Sequence, residues 1–372
     1  KNHSDTQILP PELMTEILLR LPVRSLLRFK CVCKSWFSQF SDPEFGISHF
    51  DLAASPTHRF LLRPNNENYY AQSIDTDIYH THSNPLNIRV PIPRPVRYNS
   101  PGKPHILGSC RGFILLYYAL TRDLILWNPS NAVHKQLPYF LCWLTRENLH
   151  GFGHDPSLDE YLLILIRLRA LSYKTELQVF SFKTNSRNTY SINVSYNSIV
   201  GKQFSAGTLL NGALHWLVFS QDKKVLVIIA FDLIQRSLSE IPLLEELTME
   251  MRKVFSLTVL RGCLGVCCRV QGSAATEIWV MKEYKVHSSW TKSIVIPSYG
   301  KPYSQFSPIC DTKDGGIFGS NITRRLEKLN DKGELLERFT YDSGQQLFGG
   351  NLQSAMYTES LLSLSSVTGA NN

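Results

Sequence analysis

The 372-residue chain lacks several features that mark common protein classes. No run approaches the roughly 18 consecutive apolar residues of a membrane-spanning helix, and no targeting segment is recognisable near Lys1. The eight cysteines show neither the even spacing of a disulfide framework nor paired Cys-x-x-Cys motifs. We therefore expect no membrane partner, reduced thiols, and a location in the cytoplasm and/or nucleus.

Motifs for nucleotide binding and nucleophilic catalysis are also missing. Gly151-Phe152-Gly153 lacks a third glycine and a following helix pattern, and there is neither a phosphate-binding loop nor a Gly-x-Ser-x-Gly sequence. The formal charge is +8, but the basic residues are scattered without a run of five. These absences favour a protein that is not an enzyme, holds no cofactor and does not bind nucleic acid.

Two groups of residues could ligate a metal, but neither has convergent partners. His80 and His82 are two residues apart, and Cys263, Cys267 and Cys268 cluster within one predicted unit. A metal site needs third and fourth ligands. We interpret the histidines as part of a solvated turn and the cysteines as core residues, and predict no metal site.

The carboxylates Asp155, Asp159 and Glu160 fall in one turn and form a conceivable acid and base pair. A turn rich in Asp and Pro is more commonly solvated. We interpret these three side chains as a solvated turn.

One stretch, from Leu9 to Phe45, has strong helical patterning. Pro10-Pro11 open a first helix and Pro22 stops it. A second short helix is predicted after Ser25, which can cap it, and a third carries Trp36 and its neighbours up to Asp42-Pro43. The apolar stripe of the first helix comprises Leu13, Ile17, Leu18 and Leu21.

Three helices in about 40 residues cannot bury all their large apolar side chains among themselves, because so small a unit covers only part of its own surface. Two readings follow. The helices pack on the remainder of the chain, or they present their faces to another protein.

This stretch resembles an F-box. The resemblance rests on Leu9-Pro10, Glu12-Leu13, Glu16-Ile17-Leu18, Arg20-Leu21-Pro22, Leu26-Leu27, Val32-Cys33-Lys34-Ser35-Trp36 and Pro43-Glu44-Phe45. F-box proteins dock through this motif onto the Skp-type adaptor of Skp-cullin-F-box ubiquitin ligases and hold a substrate with the rest of the chain. The resemblance implies a substrate receptor that does no catalysis.

Beyond Pro56 a unit made of two hairpins recurs. The inner hairpin turns at glycines 112, 212, 262 and 315, because a residue without a Cβ adopts a positive φ at little energetic cost. The outer hairpins turn near Asn128, Lys183, Leu233, Glu283 and Asp331, about 50 residues apart, a period typical of kelch blades. The unit at Gly151 has a longer first turn.

A sixth unit must be assembled from strands after Arg59 and strands after Asn351, which closes a ring and removes free sheet edges. We predict a six-bladed β-propeller, with a β-sandwich as the alternative. Trp127-Asn128-Pro129 and Asp159-Glu160-Tyr161 resemble the F-box-associated domain of plant F-box proteins. The predicted chain is thus an α+β two-domain protein, with a three-helix F-box over residues 1–54 and an all-β propeller over 55–372.

We predict the substrate-recognition subunit of a ubiquitin ligase, which contacts cullin and RING subunits through the adaptor and captures an unknown protein substrate. Alternatives are a propeller enzyme and a glycan-binding F-box receptor. The predicted adaptor-binding residues are Leu9, Pro10, Leu13, Ile17, Leu18, Leu21, Pro22, Leu26, Leu27, Val32, Cys33 and Trp36. The predicted substrate-binding residues, in loops that combine aromatic and basic side chains, are Tyr98, Tyr139, Trp143, Arg146, Tyr299 and Tyr303.

Overall fold

The structure is a computed structural model. It describes residues 10–52, 57–63, 69–75, 86–94, 102–137, 144, 148–168, 174–198, 205–248, 252–270, 275–297, 306–312, 314–321, 326–339 and 353–364.

Helices come first in the chain, and proline sets where they begin. They are α1 (Pro11–Leu19), α2 (Val23–Phe29), α3 (Lys34–Gln39) and α4 (Pro43–Leu52). The fixed φ of proline and its missing N–H suit the first position of a helix, and Pro11 and Pro43 both occupy that position. Ser25 lies inside α2, whose first residue follows Pro22, so the predicted cap at Ser25 is wrong.

The fourth helix, α4, was not predicted. The Asp42-Pro43 sequence ends α3 as expected, but Asp42 also begins α4, because its Oδ1 accepts the Glu44 N–H at 3.0 Å. An aspartate before a helix satisfies an N–H that has no partner within the helix. The same two residues therefore end one helix and start the next.

Six antiparallel sheets follow, which we call blades 1 to 6. Blade 1 contains β1 (His58–Arg63), β2 (Tyr70–Asp75) and β3 (Leu86–Arg89), and blade 2 contains β4 (Pro104–Cys110), β5 (Phe113–Tyr118), β6 (Asp123–Trp127) and β7 (His134–Leu137). Blade 3 contains β8 (Leu149–Asp155), β9 (Glu160–Arg167), β10 (Thr175–Ser181) and β11 (Ser186–Ile192).

Blade 4 has an interrupted inner strand. Its strands are β12 (Tyr196–Ser198), β14 (Thr208–Leu210), β15 (Ala213–Ser220), β16 (Val225–Asp232) and β17 (Leu238–Pro242). Both β12 and β14 pair with β15, while the short β13 (Ser205–Ala206) between them pairs in parallel with β8 of blade 3. The pairing of β13 with β8 joins blades 3 and 4 through backbone hydrogen bonds.

The remaining two blades have four antiparallel strands each. A short helix α5 (Glu245–Thr248) leads into blade 5, which contains β18 (Arg252–Leu260), β19 (Cys263–Val270), β20 (Thr276–Met281) and, after a 3₁₀ turn at His287–Ser289, β21 (Trp290–Ile296). Blade 6 contains β22 (Phe306–Asp311), β23 (Ile317–Asn321), β24 (Leu326–Leu329) and β25 (Leu335–Phe339). Phe60 of blade 1 packs edge to face on Phe318 of blade 6, with ring centroids 5.5 Å apart.

The ring closes as predicted, with strands from both ends of the sequence. The last strand, β26 (Gln353–Thr358), pairs with β1 over six residues, from His58 opposite Thr358 to Arg63 opposite Gln353. The six-bladed propeller and the four glycine turns are thereby confirmed, with φ between +70° and +82° at glycines 112, 212, 262 and 315.

The core of the propeller lies in the seams between blades. The middle strand β5 is buried at all six positions, because a neighbouring blade covers each of its faces. This explains why the middle strands read as continuous apolar runs. Trp127, Trp216, Trp279 and Trp290 are all at most 7% exposed, so these rings are part of the buried seams.

Candidate partner-binding surface

The four helices share a small core on one side. Leu18 of α1 and Leu26 of α2 meet Phe40 and Phe45, and all four side chains are at most 7% exposed. The core is completed by Leu361, which comes from the end of the described chain. The helical unit is therefore incomplete without the segment that follows the last propeller strand.

A row of aromatic rings connects α2 to α4. Phe29 lies 5.2 Å from Trp36, Trp36 lies 5.9 Å from Phe40, and Phe40 lies 5.3 Å from Phe45 between ring centroids. Tilted rings at these distances are a favourable arrangement. The row fixes the short helix α3 against its neighbours, although α3 has only six residues.

The opposite side of the helices leaves large apolar side chains in solvent. Leu13 and Ile17, one turn apart on α1, are 49% and 48% exposed. Val32, between α2 and α3, is 65% exposed, and Phe37 of α3 is 59% exposed. We call Leu13, Ile17, Val32 and Phe37 the apolar helix face. Exposed apolar patches on a stable domain mark interaction sites.

The structure divides the twelve predicted adaptor residues by exposure. Those exposed are Pro10, Leu13, Ile17, Pro22, Val32 and Cys33, and those half-buried are Leu21, Leu27 and Trp36. Leu18 and Leu26 are buried at 3% and 0%, so they form the core of the helices and offer no surface to a partner. Leu9 lies outside the described residues.

Phe37 belongs to the exposed side and was not among the predicted adaptor residues. Its neighbour Trp36 points toward Phe29 and Phe40, and successive residues of a helix are about 100° apart, so the Phe37 ring lies outside that row. The helical pattern of Trp36, Phe37 and Phe40 contained this signal.

The helical unit is attached to the propeller through the segment after β26. Arg24 of α2 donates from Nε to Glu359 Oε1 at 2.9 Å, and the same carboxylate lies 3.5 Å from Arg59 Nε of β1. At the end of α4, Arg111 Nη2 lies 3.0 Å from Asp51 Oδ1, and its guanidinium covers the Phe50 ring at 4.9 Å. Two separate contacts thus orient the helices on the propeller.

Asn128 fixes the same segment from the propeller side. Its buried amide Nδ2 donates to the Ser360 carbonyl (3.2 Å), the Ser360 hydroxyl (2.9 Å) and the Leu362 carbonyl (3.0 Å). A buried amide with satisfied hydrogen bonds positions the chain that it contacts. We call residues 359–362 the strap, since they contact both α2 and the β6–β7 turn.

The turn that carries the three carboxylates differs from the prediction. Asp159 is exposed, with Oδ1 2.9 Å from His154 Nε2, but Asp155 and Glu160 are buried. Arg236 Nη2, from the β16–β17 turn of blade 4, lies 2.7 Å from Asp155 Oδ2 and 2.5 Å from Glu160 Oε1. The interpretation as a solvated turn is therefore wrong for these two residues, which join blades 3 and 4.

Electrostatics favour the charged form of Asp155. Burial by itself raises the pKa of this carboxyl, but the Ser157 hydroxyl and N–H and the Arg236 guanidinium outweigh it, so the pKa lies below its usual value. A buried carboxylate that stays ionised beside an arginine is a structural ion pair.

The predicted substrate-binding residues Tyr98, Tyr139, Trp143, Arg146, Tyr299 and Tyr303, together with His80 and His82, lie outside the described residues. The cysteines of blade 5 are described. Cys267 and Cys268 are fully buried, and burial raises the pKa of the Cys267 thiol to about 12. Within the described ranges, no group of three metal-binding side chains converges, and no helix is long and apolar enough to cross a membrane.

Comparison with known proteins identifies both parts of the chain. A family model described as the F-box associated beta propeller domain matches residues 61–320, and an F-box domain model matches residues 7–48. An F-box/kelch-repeat protein of Arabidopsis thaliana is 30% identical over 303 residues, 78% of this chain and 79% of that protein. The F-box protein CPR1 of Arabidopsis thaliana is 26% identical over 335 residues, 82% of this chain and 78% of its own length.

Among solved structures, a luciferin-regenerating enzyme aligns with 65% of this chain and 76% of its own, at 10% identity and a TM-score of 0.39. A likeness this distant has no bearing on function.

Proposed function

Since this chain belongs to the plant F-box proteins that carry an F-box associated β-propeller domain, we propose that it is the substrate-recognition subunit of a Skp-cullin-F-box ubiquitin ligase. The helices bind the Skp-type adaptor, which brings the cullin and RING subunits, and the propeller binds a protein target. The complex acts in the cytoplasm and/or nucleus. We place the boundary between the two domains at residues 54 and 55.

The apolar helix face carries this proposal. Its four side chains are each about half exposed or more, on a unit whose other side is already occupied by its own core and by the strap. A partner that covers these side chains gains free energy, because burial of apolar surface contributes about 25 cal/mol per Å² removed from water. Pro10, Pro22 and Cys33 extend the exposed surface, while Leu21, Leu27 and Trp36 support it from beneath.

In this role the chain contributes proximity and orientation and no covalent chemistry. Two binding surfaces on one body raise the effective concentration of a target lysine near a recruited conjugating enzyme. The strap supports this role, since Glu359 and Leu361 contact the helices while Ser360 and Leu362 contact blade 2. The distance between adaptor and target is then fixed by the fold.

The test replaces Ile17 and Val32 by glutamate in the full chain and measures binding to a purified Skp-type adaptor. Charged side chains at a desolvated interface oppose binding, so we expect at least a hundredfold loss of affinity. A matched variant carries glutamate at Leu158 and Leu336, propeller residues that are 58% and 56% exposed. Equal affinity of all three proteins would refute adaptor binding through this face.

For the target, we retain the loops that contain Tyr98, Tyr139, Trp143, Arg146, Tyr299 and Tyr303 as the proposed contact region. Tyr, Trp and Arg dominate interface hot spots. The predicted loops span residues 77–104, 139–147 and 298–305, and β3 lies within the first of them. Replacing residues 95–101 of the first loop and all of the other two by Gly-Ser segments should abolish capture of ubiquitination targets while adaptor binding is kept. Unchanged targets would place the contact region elsewhere on the propeller.

A further inference from the structure

A cavity of about 360 Å³ opens at the outer end of the seam between blades 1 and 2. One wall is the chain that leaves β3, with Val90, Pro91 and Ile92, and the other is the β6–β7 hairpin. Trp127 lies at its base and is 1% exposed. The backbone N–H of Arg94 donates to Gln136 Oε1 at 2.7 Å, which holds the two walls together. We call this cavity the seam groove.

The rim of the seam groove is basic. Arg89, Arg94 and His134 line it and are exposed, and no acidic residue is among the lining side chains. Among the described residues, neither the Arg89 nor the Arg94 guanidinium forms an ion pair or a hydrogen bond. By contrast, Arg24, Arg59 and Arg236 all have carboxylate partners.

Unpaired guanidinium groups beside an apolar base define the chemistry of a partner. A guanidinium binds a carboxylate through two parallel hydrogen bonds, and its planar shape makes it well suited to that anion. The wall formed by Val90, Pro91 and the half-buried Ile92 accepts an apolar side chain. An acidic peptide with an apolar residue between its carboxylates satisfies both requirements.

A nucleic acid fits less well. Single strands bind along extended basic grooves on which bases stack against exposed aromatic rings. Apart from the His134 imidazole, the only aromatic ring that lines the seam groove, within the described part of the chain, is the buried Trp127. Two arginines on one wall of the groove are also a short basic surface for a phosphate backbone.

We propose that the seam groove binds an acidic linear peptide of the target, with carboxylates on Arg89 and Arg94 and an apolar side chain over Ile92. This inference rests on the proposed receptor function, for which it supplies the chemistry of the substrate. The groove belongs to the propeller and lies apart from the apolar helix face, so the two sites can be tested independently.

The experiment selects a display library of random twelve-residue peptides on the immobilised full-length chain. We expect enrichment of peptides with several Asp or Glu around an apolar residue. Synthetic copies of the enriched peptides are then titrated against the chain and against Arg89→Glu/Arg94→Glu. The double variant should bind at least tenfold more weakly. Arg187→Glu/Lys332→Glu, at exposed positions in β11 and the β24–β25 turn, has the same change of net charge and should bind normally.

Further peptides separate the alternatives. Copies with Gln in place of Glu should lose affinity, and stronger binding in 0.5 M than in 0.1 M salt would contradict a contact between charges. The proposal would be overturned if the enriched peptides contained no acidic residues, or if the double variant bound them as tightly as the unchanged chain. It would also be overturned if the chain bound only phosphoserine copies of the peptides or only single-stranded DNA. Binding of a purified Skp-type adaptor is measured on the same immobilised chain. If the chain binds the adaptor but no acidic peptide, this inference is wrong and the receptor function stands. If the chain binds acidic peptides but not the adaptor, the receptor function is refuted.

Discussion

The helical unit and the propeller differ in where they put their large apolar side chains. In the propeller, middle strands such as β5 and β9 are covered on both faces, and exposed apolar residues such as Leu158, Ile234 and Leu336 lie singly in turns or outer strands. In the helical unit, Phe37 and Phe40 lie three residues apart, yet one is 59% exposed and the other 1%.

This difference shows which region is complete by itself. A ring of blades pairs every inner face with a neighbouring blade, so no partner is needed to bury its core. Four short helices have one core and two sides, and only one side is covered by the strap and the propeller. The other side leaves apolar surface exposed to solvent, and a partner can cover that surface.

The largest effect is expected where the propeller core is broken. Trp216 is 1% exposed, and its Nε1 donates to the His150 carbonyl at 2.9 Å. Trp216→Ala should lower the free energy of unfolding by about 3 to 5 kcal/mol, measured as a lower urea midpoint by circular dichroism. A change below about 1 kcal/mol would mean that the seams tolerate cavities, and the contrast with the helices would fail.

The ion pair between blades 3 and 4 comes next. Arg236→Met leaves Asp155 and Glu160 buried without their cation, which should cost about 3 kcal/mol because unpaired buried charges are strongly destabilising. Arg187→Met, at an exposed position of β11, should change stability by less than about 0.5 kcal/mol. Adding Asp155→Asn and Glu160→Gln should recover part of the loss, and no recovery would show that Arg236 acts through packing.

Acid should weaken the propeller. Burial lowers the pKa of His150 to about 3 and also lowers the pKa of His215. At a pH between the usual histidine pKa of about 6.5 and the pKa in the folded chain, the unfolded chain binds more protons than the folded one. The free energy of unfolding therefore falls as the pH falls through this window, by at most about 1.4 kcal/mol per pH unit for each histidine. Urea midpoints at pH 7 and pH 5 measure this slope. His150→Gln should reduce it, and an unchanged slope would contradict a neutral buried His150.

Loosening the strap should affect the helices more than the blades. Asn128→Ala removes three hydrogen bonds to the strap and leaves the Leu362 carbonyl with only the one from Asn131 Nδ2, at a cost of about 1 to 3 kcal/mol. Hydrogen exchange should become faster in residues 11–52 than in the middle strands of blades 3 to 6. Asn188→Ala, on the exposed strand β11, serves as the control. Uniform exchange across both regions would show that the strap does not couple them.

The smallest effect on stability is expected on the apolar helix face. Phe37→Ala should change the free energy of unfolding by less than about 0.5 kcal/mol, while adaptor affinity falls at least tenfold. Phe40→Ala, in the core of the helices, should cost about 3 kcal/mol or more. Thermal melts and adaptor titrations of the two variants measure both quantities. Equal loss of stability in both would remove the distinction between the two sides.

Local signals in the sequence were sufficient for much of the fold. Glycine at position 112 follows Arg111 in a two-residue turn in which both residues have positive φ, and such turns are encoded within four residues. The repeated apolar runs and turns then gave the number of blades. The sequence does not predict the fourth helix, because Asp42-Pro43 indicates a helix end as readily as the helix start that it also forms.

The sites depend on contacts that spacing alone does not contain. Arg236 lies 81 residues from Asp155, and nothing near either residue indicates the other. Leu18 and Leu26 matched the family pattern as well as Leu13 did, but a pattern does not separate residues that support a surface from residues that form it.

By itself, the sequence determined the helical unit, the six blades and the closure of the ring, because periodicity, turns and proline positions act within a few residues. Only the tertiary structure decided which helix residues are exposed, how the strap joins Arg24 to blade 2, and that Arg89 and Arg94 meet His134 across a seam. Exposure and proximity between distant segments arise when blades and helices pack, and no short stretch of the chain specifies them.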